Sequence, residues 1–237
     1  MLILLFFGSD NSHAQFPDNE MLQALRAELL RVPDAFPGAA QIPTATLTIA
    51  DVSDKGFPAA LYMALTRSLI RAEARRESSP KTVLSSVNRL LLELGEPGMF
   101  VTVFYAVLDA HAHRLTYGRA GHDEPLLVRD GEATALAGPG MLLGVFEDAG
   151  DRLVETTVDL RPGDLLVFYT DGLTDVRNPR GETLGTDGWR NVVLSHADDP
   201  AAELCRRIFA DLQRYLAGED QGDDMTLLIV ADGRTQE

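Results

Sequence analysis

Hydrophobic and polar positions divide the chain into a helical beginning, a strand-rich middle and a mixed end. Glu20 to Val32 places Met21, Leu22, Leu25, Leu29 and Leu30 at helical spacing, which predicts a short amphipathic helix. Pro33, Pro37, Gly38 and Pro43 then make an irregular connector. Thr46 to Ile49 is β-branched and apolar, ends on Asp51, and turns through Gly56 into a helical pattern from Phe57 to about Arg76. Pro58 suits the first turn of that helix, where a missing N–H costs nothing. Ser79 before Pro80 caps a second helix, which runs to Leu94 and stops at Gly95.

Met99 to Leu108 and Asp164 to Thr170 are apolar on both faces, as in strands covered on each side. Arg114 to Arg119, Glu124 to Arg129 and Leu153 to Leu160 alternate and predict further strands. Turns are expected at Asp109–His113 and Arg129–Gly131. Helices follow at Thr186 to Ser195 and at Pro200 to Leu216, the latter behind an Asp198/Asp199 cap. Met225 to Ala231 is the last strand, and Gly233 to Glu237 a frayed tail. Helices arrive in pairs rather than after every strand, which disfavours a parallel sheet. The expected fold is α+β: a β-sandwich of two packed antiparallel sheets flanked by helix pairs, in α-β-β-α layers. Residues 46–233 form this domain behind an N-terminal helix and connector over 1–45.

Composition narrows the function. A formal charge of −15 argues against nucleic acid as partner. Cys205 is the only cysteine, so no internal disulfide is possible; it reads as a small core residue and permits a reducing, cytoplasmic location. Met1 to Phe7 is too short to span a bilayer and lacks a basic leader, so a buried first strand or a truncated upstream element is expected and no membrane partner. There is no GxxxxGK[ST] loop and no GxGxxG fingerprint.

Candidate chemistry lies in three carboxylate turns at the tips of buried strands: Asp51, Asp171-Gly172, and Asp223-Asp224. Asp51 by itself fits either a hard-cation ligand, with the Val52 carbonyl beside it, or a side chain capping its own turn. Brought together, the three turns would repel without a cation between them, which points to a dinuclear hard-metal site.

These stretches also carry a resemblance. DVSDKGFPAAL, FVTVFYAVLD, LTYGRAGHDEPLLVRDGE, LRPGDLLVFYTDGLTDVRNPRGETLG and GDDMTLLIV, in that order, resemble the bacterial sporulation-stage-II-E phosphatases. That family belongs to the metal-dependent type 2C serine/threonine phosphatases. The resemblance implies two Mn²⁺ or Mg²⁺ ions held by Asp51, the Val52 carbonyl, Asp171 and Asp223, with Asp224 as a less certain neighbour. It implies metal-activated water as nucleophile, and a phosphoserine or phosphothreonine substrate on an anti-anti-sigma (STAS-like) protein in sigma-factor partner switching. A separate sensor or regulator chain is a further expected partner.

Two departures qualify it. The family's upstream Gly-Gly-Asp-aromatic-x-Asp segment, whose first Asp binds metal, is not found between Ala39–Pro43 and Thr46–Ile49; Asp34 matches nothing. A strand and its carboxylate are therefore expected to be missing, with weakened or absent activity. Asp54 stands where the family prefers Gly. The competing function is a non-catalytic phosphatase-fold module that binds a regulatory phosphoprotein; an aspartyl-nucleophile phosphatase lacks its Asp-x-Asp pair. His122 is expected to bond its own turn, His111 and His113 to be solvated, Asn88 to pack, and Trp189 and Phe209 to lie in the core; Asp175, four residues after Asp171, could approach the site, but a turn cap before Asn178-Pro179 is the expected role.

Overall fold

A computed structural model describes residues 2–3, 44–219 and 222–231. The expected helix over Glu20–Val32, and Asp34, lie outside the described residues. The strands are β1 (Leu2–Ile3), β2 (Thr44–Val52), β3 (Val101–Asp109), β4 (Arg114–Ala120), β5 (Leu126–Arg129), β6 (Glu132–Ala135), β7 (Glu155–Asp159), β8 (Leu165–Tyr169) and β9 (Leu227–Ala231). The helices are α1 (Phe57–Glu73), α2 (Pro80–Leu94), α3 (Ala149–Arg152), α4 (Gly185–Leu194) and α5 (Ala201–Leu216). Among the described residues, no helix is long and apolar enough to cross a membrane.

One sheet has the order β1-β2-β3-β4-β7 and the other β6-β5-β8-β9. All pairings are antiparallel except the two-residue contact of β1 with Thr46 and Leu47. Three apolar clusters explain the layering. Leu47, Ile49, Phe104, Leu115, Leu166, Phe168 and Leu228 fill the space between the sheets. Their strand neighbours Ala50, Val103 and Tyr105 point outward under α1 and α2, against Ile70, Val83 and Leu91. Val167, Tyr169 and Leu227 point the other way, against Trp189, Val193, Leu204 and Ile208 of α4 and α5. A strand apolar on both faces is thus one packed on both faces, and the α-β-β-α sandwich holds.

Several local expectations hold. Ser79 caps α2, its Oγ accepting from the Thr82 N–H at 3.3 Å. Asp109 turns the β3–β4 hairpin by accepting from the His111 and Ala112 amides, and leaves His111 exposed. Trp189 is fully buried, Phe209 and Cys205 pack at the edge of the same cluster, and buried Asn88 holds the 144–146 loop through the Gly144 amide and Phe146 carbonyl.

Others need correction. Helix α5 has no side-chain cap: Pro200 precedes it, and Asp199 instead faces Arg207 at 3.3 Å and His196 at 3.7 Å. Helix α2 does stop at Gly95 as expected, in an extended conformation (φ −81°). A Cβ there would stand 2.4 Å from the Leu91 carbonyl oxygen and 2.9 Å from the Tyr62 ring, so the helix end needs glycine for space. Of the expected first strand, Leu2–Ile3 is described; it lies beside β2 and carries no carboxylate.

Candidate metal centre

Strand alternation delivers the acidic groups to one place. In β2, Leu47 and Ile49 face the second sheet, and Asp51 is the next residue on that face. Asp51 pairs with Thr102 in the β2–β3 ladder, and Thr102 Oγ1 donates to the Asp51 carbonyl at 3.4 Å. The turn that follows is fixed at both ends. The Ser53 amide donates to the Phe100 carbonyl at 2.9 Å, and Ser53 Oγ accepts from the Phe100 amide at 3.0 Å. Asp54 adopts φ 72°, the left-handed conformation that makes glycine the easier residue at this position.

From the second sheet, β8 runs into Thr170 and the 3₁₀ turn Asp171–Leu173. Thr170 fastens this turn to the segment before β9: its Oγ1 donates to the Asp224 carbonyl at 3.1 Å and accepts from the Thr226 amide at 3.0 Å. Gly172 permits the approach, since a Cβ there would stand 2.1 Å from the Asp224 carbonyl oxygen. Asp171 and Asp223-Asp224 are therefore locked side by side.

Electrostatics records the meeting of the two sheets. The Asp51 carboxyl is pushed up to about 6, first by burial and then by the charges of Asp171, Asp223 and Asp224. Asp171 is raised by burial, then by Asp223 and Asp175. Asp51, Asp171, Asp223 and Asp224, from three distant parts of the sequence, thus converge on one end of the sandwich. The Val52 amide hydrogen-bonds to the Asp51 carboxylate. Among the described residues, no three acidic, His or Cys side chains stand in ready-made coordination geometry, so the group is a convergent lining rather than a closed cage. An all-oxygen donor set in which burial and neighbouring carboxylates raise Asp51 and Asp171 suits a hard divalent cation.

Three residues gain a place here beyond their expected roles. Asp123, after β4, is pushed up to about 6 by burial and then by Asp171, with Arg119 opposing. Asp175 is no simple turn cap: its amide donates to the Asp171 carbonyl at 2.8 Å and its charge raises both Asp171 and Asp123. The four-residue spacing of Asp171 and Asp175 on a helical turn was the available signal. His122 does not bond its own turn. It is buried between the sheets, its Nδ1 is 3.0 Å from Thr102 Oγ1, and burial pushes its ring down to about 4, so it is neutral at physiological pH.

Comparisons with known proteins give the family and the fold. The sequence model of the family described as stage II sporulation protein E matches residues 44–231. The chain is 29% identical over 186 residues to the phosphoserine phosphatase RsbU of Bacillus subtilis, covering 78% of this chain and 54% of that protein. Its fold is similar to the RsbU and RsbW domains of Rv1364c from Mycobacterium tuberculosis, with TM-score 0.64 and 27% identity over 79% of this chain and 51% of that one. The fold alone is shared with the catalytic domain of the phosphatase PstP in complex with two manganese ions, at TM-score 0.58 and 17% identity over 79% of this chain and 88% of that one. The chain spans about half the length of RsbU and of the Rv1364c structure. With a family match that runs from β2 to β9 and takes in every strand-end carboxylate, this chain belongs to the stage II sporulation protein E family.

Proposed function

We propose that this chain is a divalent-metal-dependent phosphoprotein phosphatase acting on phosphoserine or phosphothreonine. The observation that carries the reading is the convergence of Asp51, Asp171 and Asp223-Asp224 at one end of the sandwich, where burial and the neighbouring charges raise Asp51 and Asp171. Asp51, the Val52 carbonyl, Asp171 and Asp223 would hold two Mn²⁺ or Mg²⁺ ions, with Asp224 beside them. Bound ions of this kind supply an acidified water and offset charge on the phosphoryl oxygens. The protein's own part is positional. The Ser53–Phe100 pair fixes the turn after Asp51, Thr102 and His122 fasten the strand end from within, and Thr170 ties Asp171 to Asp224. Asp123 and Asp175 add negative charge on the Asp171 side.

The substrate we favour is a phosphorylated anti-anti-sigma (STAS-like) regulator in the cytoplasm. Support comes from the RsbU relative and from a neighbour whose RsbU domain is joined to an RsbW domain. A separate sensor or regulator chain would control it. With no upstream Asp motif in the sequence, activity is expected to fall below that of an intact relative.

The test is Mn²⁺ titration by calorimetry together with hydrolysis of a phosphoserine peptide, on wild type and Asp171→Asn. Two-site uptake and Mn²⁺-dependent turnover, both lost in the variant by at least about a hundredfold in rate, support the reading. An unaffected variant refutes the site. Wild type that binds phosphopeptide but neither loads Mn²⁺ nor turns over supports the second reading, a non-catalytic binding module, which the missing upstream carboxylate favours.

A further inference from the structure

Lys55 lies in the turn between β2 and α1, four residues after Asp51, and no role has been given to it so far. Its side chain is 72% exposed, yet its end is placed. Nζ donates to the Gly222 carbonyl at 3.1 Å and pairs with Asp223 Oδ1 at 3.2 Å, joining the two sheets across the mouth of the acidic lining. The turn beneath it is held by the Ser53–Phe100 pair and by the left-handed backbone of Asp54 and Gly56 (φ 85°). The ammonium therefore stands at the lip by construction.

Charge says what it can do there. When ionised, Asp51, Asp123, Asp171, Asp175, Asp223 and Asp224 carry six negative charges, each acting on Asp51 or Asp171 or on both. Two divalent ions return four positive ones, and a phosphomonoester adds roughly two more negative charges. A dianion approaching the loaded site still meets net repulsion unless a further cation serves it. Arg119, which acts on Asp123, is committed inward: its guanidinium donates to the His122 and Gly138 carbonyls and faces Glu124 at 3.9 Å. Lys55 is held by the Gly222 carbonyl and by an exposed pair with Asp223, the latter a weak interaction that a divalent ion on Asp223 readily displaces.

We propose that Lys55 is the phosphate-gripping residue of this site: it covers Asp223 while the site is empty of metal and turns to the phosphoryl oxygens of the substrate once metal takes that carboxylate. The proposal rests on the phosphatase reading above. It requires two effects of opposite sign from one substitution, which a merely structural lysine would not produce.

The test uses the full chain with Lys55→Met, which keeps the stem and removes the charge, and Lys55→Arg, which keeps the charge. Mn²⁺ alone is titrated by calorimetry, and KM is measured for a phosphoserine peptide and for p-nitrophenyl phosphate. In Lys55→Met, Mn²⁺ is expected to bind about threefold or more tighter as a competing charge leaves. KM for both substrates is expected to rise about tenfold at low salt and the difference to shrink at high salt. Lys55→Arg is expected to restore KM to within about threefold. The exposed position leaves folding intact, checked by an unchanged unfolding midpoint. Wild type that loads Mn²⁺ and turns over, with KM unaltered in Lys55→Met, overturns this proposal alone. Wild type that takes up no Mn²⁺ overturns the phosphatase reading, and the proposal with it.

Discussion

At the scale of single residues, Asp51 and Asp123 are the groups whose chemistry the fold changes most. Each has a folded-state value of about 6 against 3.8 in the open chain. A carboxyl raised in this way favours the fold while protonated, so its contribution is whole below about pH 4 and is lost as pH rises through about 6. In EDTA, Asp123→Asn is therefore expected to unfold at the wild-type temperature near pH 4 and at a higher one near pH 7. Thermal unfolding of the pair checks it, and a variant less stable than wild type at pH 7 contradicts the sign. Mn²⁺ affinity of wild type is expected to climb over the same interval, because its carboxylate ligands must lose their protons to bind. Asp51, Asp171 and Asp223 were legible as strand-tip carboxylates. Asp123 was not, because in the sequence it is one more acidic residue in a loop beside a more conspicuous histidine.

At the scale of elements, the tight fit of the Asp171 turn against the segment before β9 makes Gly172 a sensitive position. A Cβ 2.1 Å from the Asp224 carbonyl forces the two apart. Gly172→Ala is expected to lose at least about 2 kcal/mol of stability by urea unfolding and to weaken Mn²⁺ uptake in calorimetry; full uptake would separate this contact from the site. The start of α2 offers a milder case. Ser79 Oγ accepts from the Thr82 amide and donates to Glu155 Oε2 at 2.6 Å, so Ser79→Ala is expected to cost about 1 kcal/mol without touching metal binding. This cap was readable from Ser79-Pro80 alone, since capping is a local matter. The end of the same helix at Gly95 was readable too; only its crowding by Tyr62, a residue on another helix, was not.

At the scale of the whole molecule, the sandwich and its site depend on one interior. Phe104 stacks on Tyr117 at 4.9 Å between ring centroids and meets Phe168 of the other sheet edge-on at 5.6 Å. These rings set the sheet separation that brings Asp51 to Asp171. Phe168→Ala is expected to cost about 3–5 kcal/mol in urea unfolding. Mn²⁺ is expected to bind the variant more weakly, although no metal-facing group is altered. Equal affinity in the still-folded variant would show that the turns alone set the site. The edge of the first sheet matters as well, where Leu2–Ile3 is the segment described on the outer side of β2 and carries no carboxylate.

The sequence alone determined most of the strands and helices, though neither β6 nor α3, and that carboxylates stand at the tips of three strands. Those properties follow from side-chain periodicity and local turn chemistry, which travel with the chain. It determined the family too, through motifs kept in order. Only the tertiary structure decided which acidic groups meet, that Asp123 and Asp175 join them, that His122 faces inward to Thr102, and that Lys55 spans the mouth. Each of these depends on the stacking of two sheets whose strands are far apart in sequence. Proximity across that gap is fixed by packing between the sheets rather than by spacing along either strand.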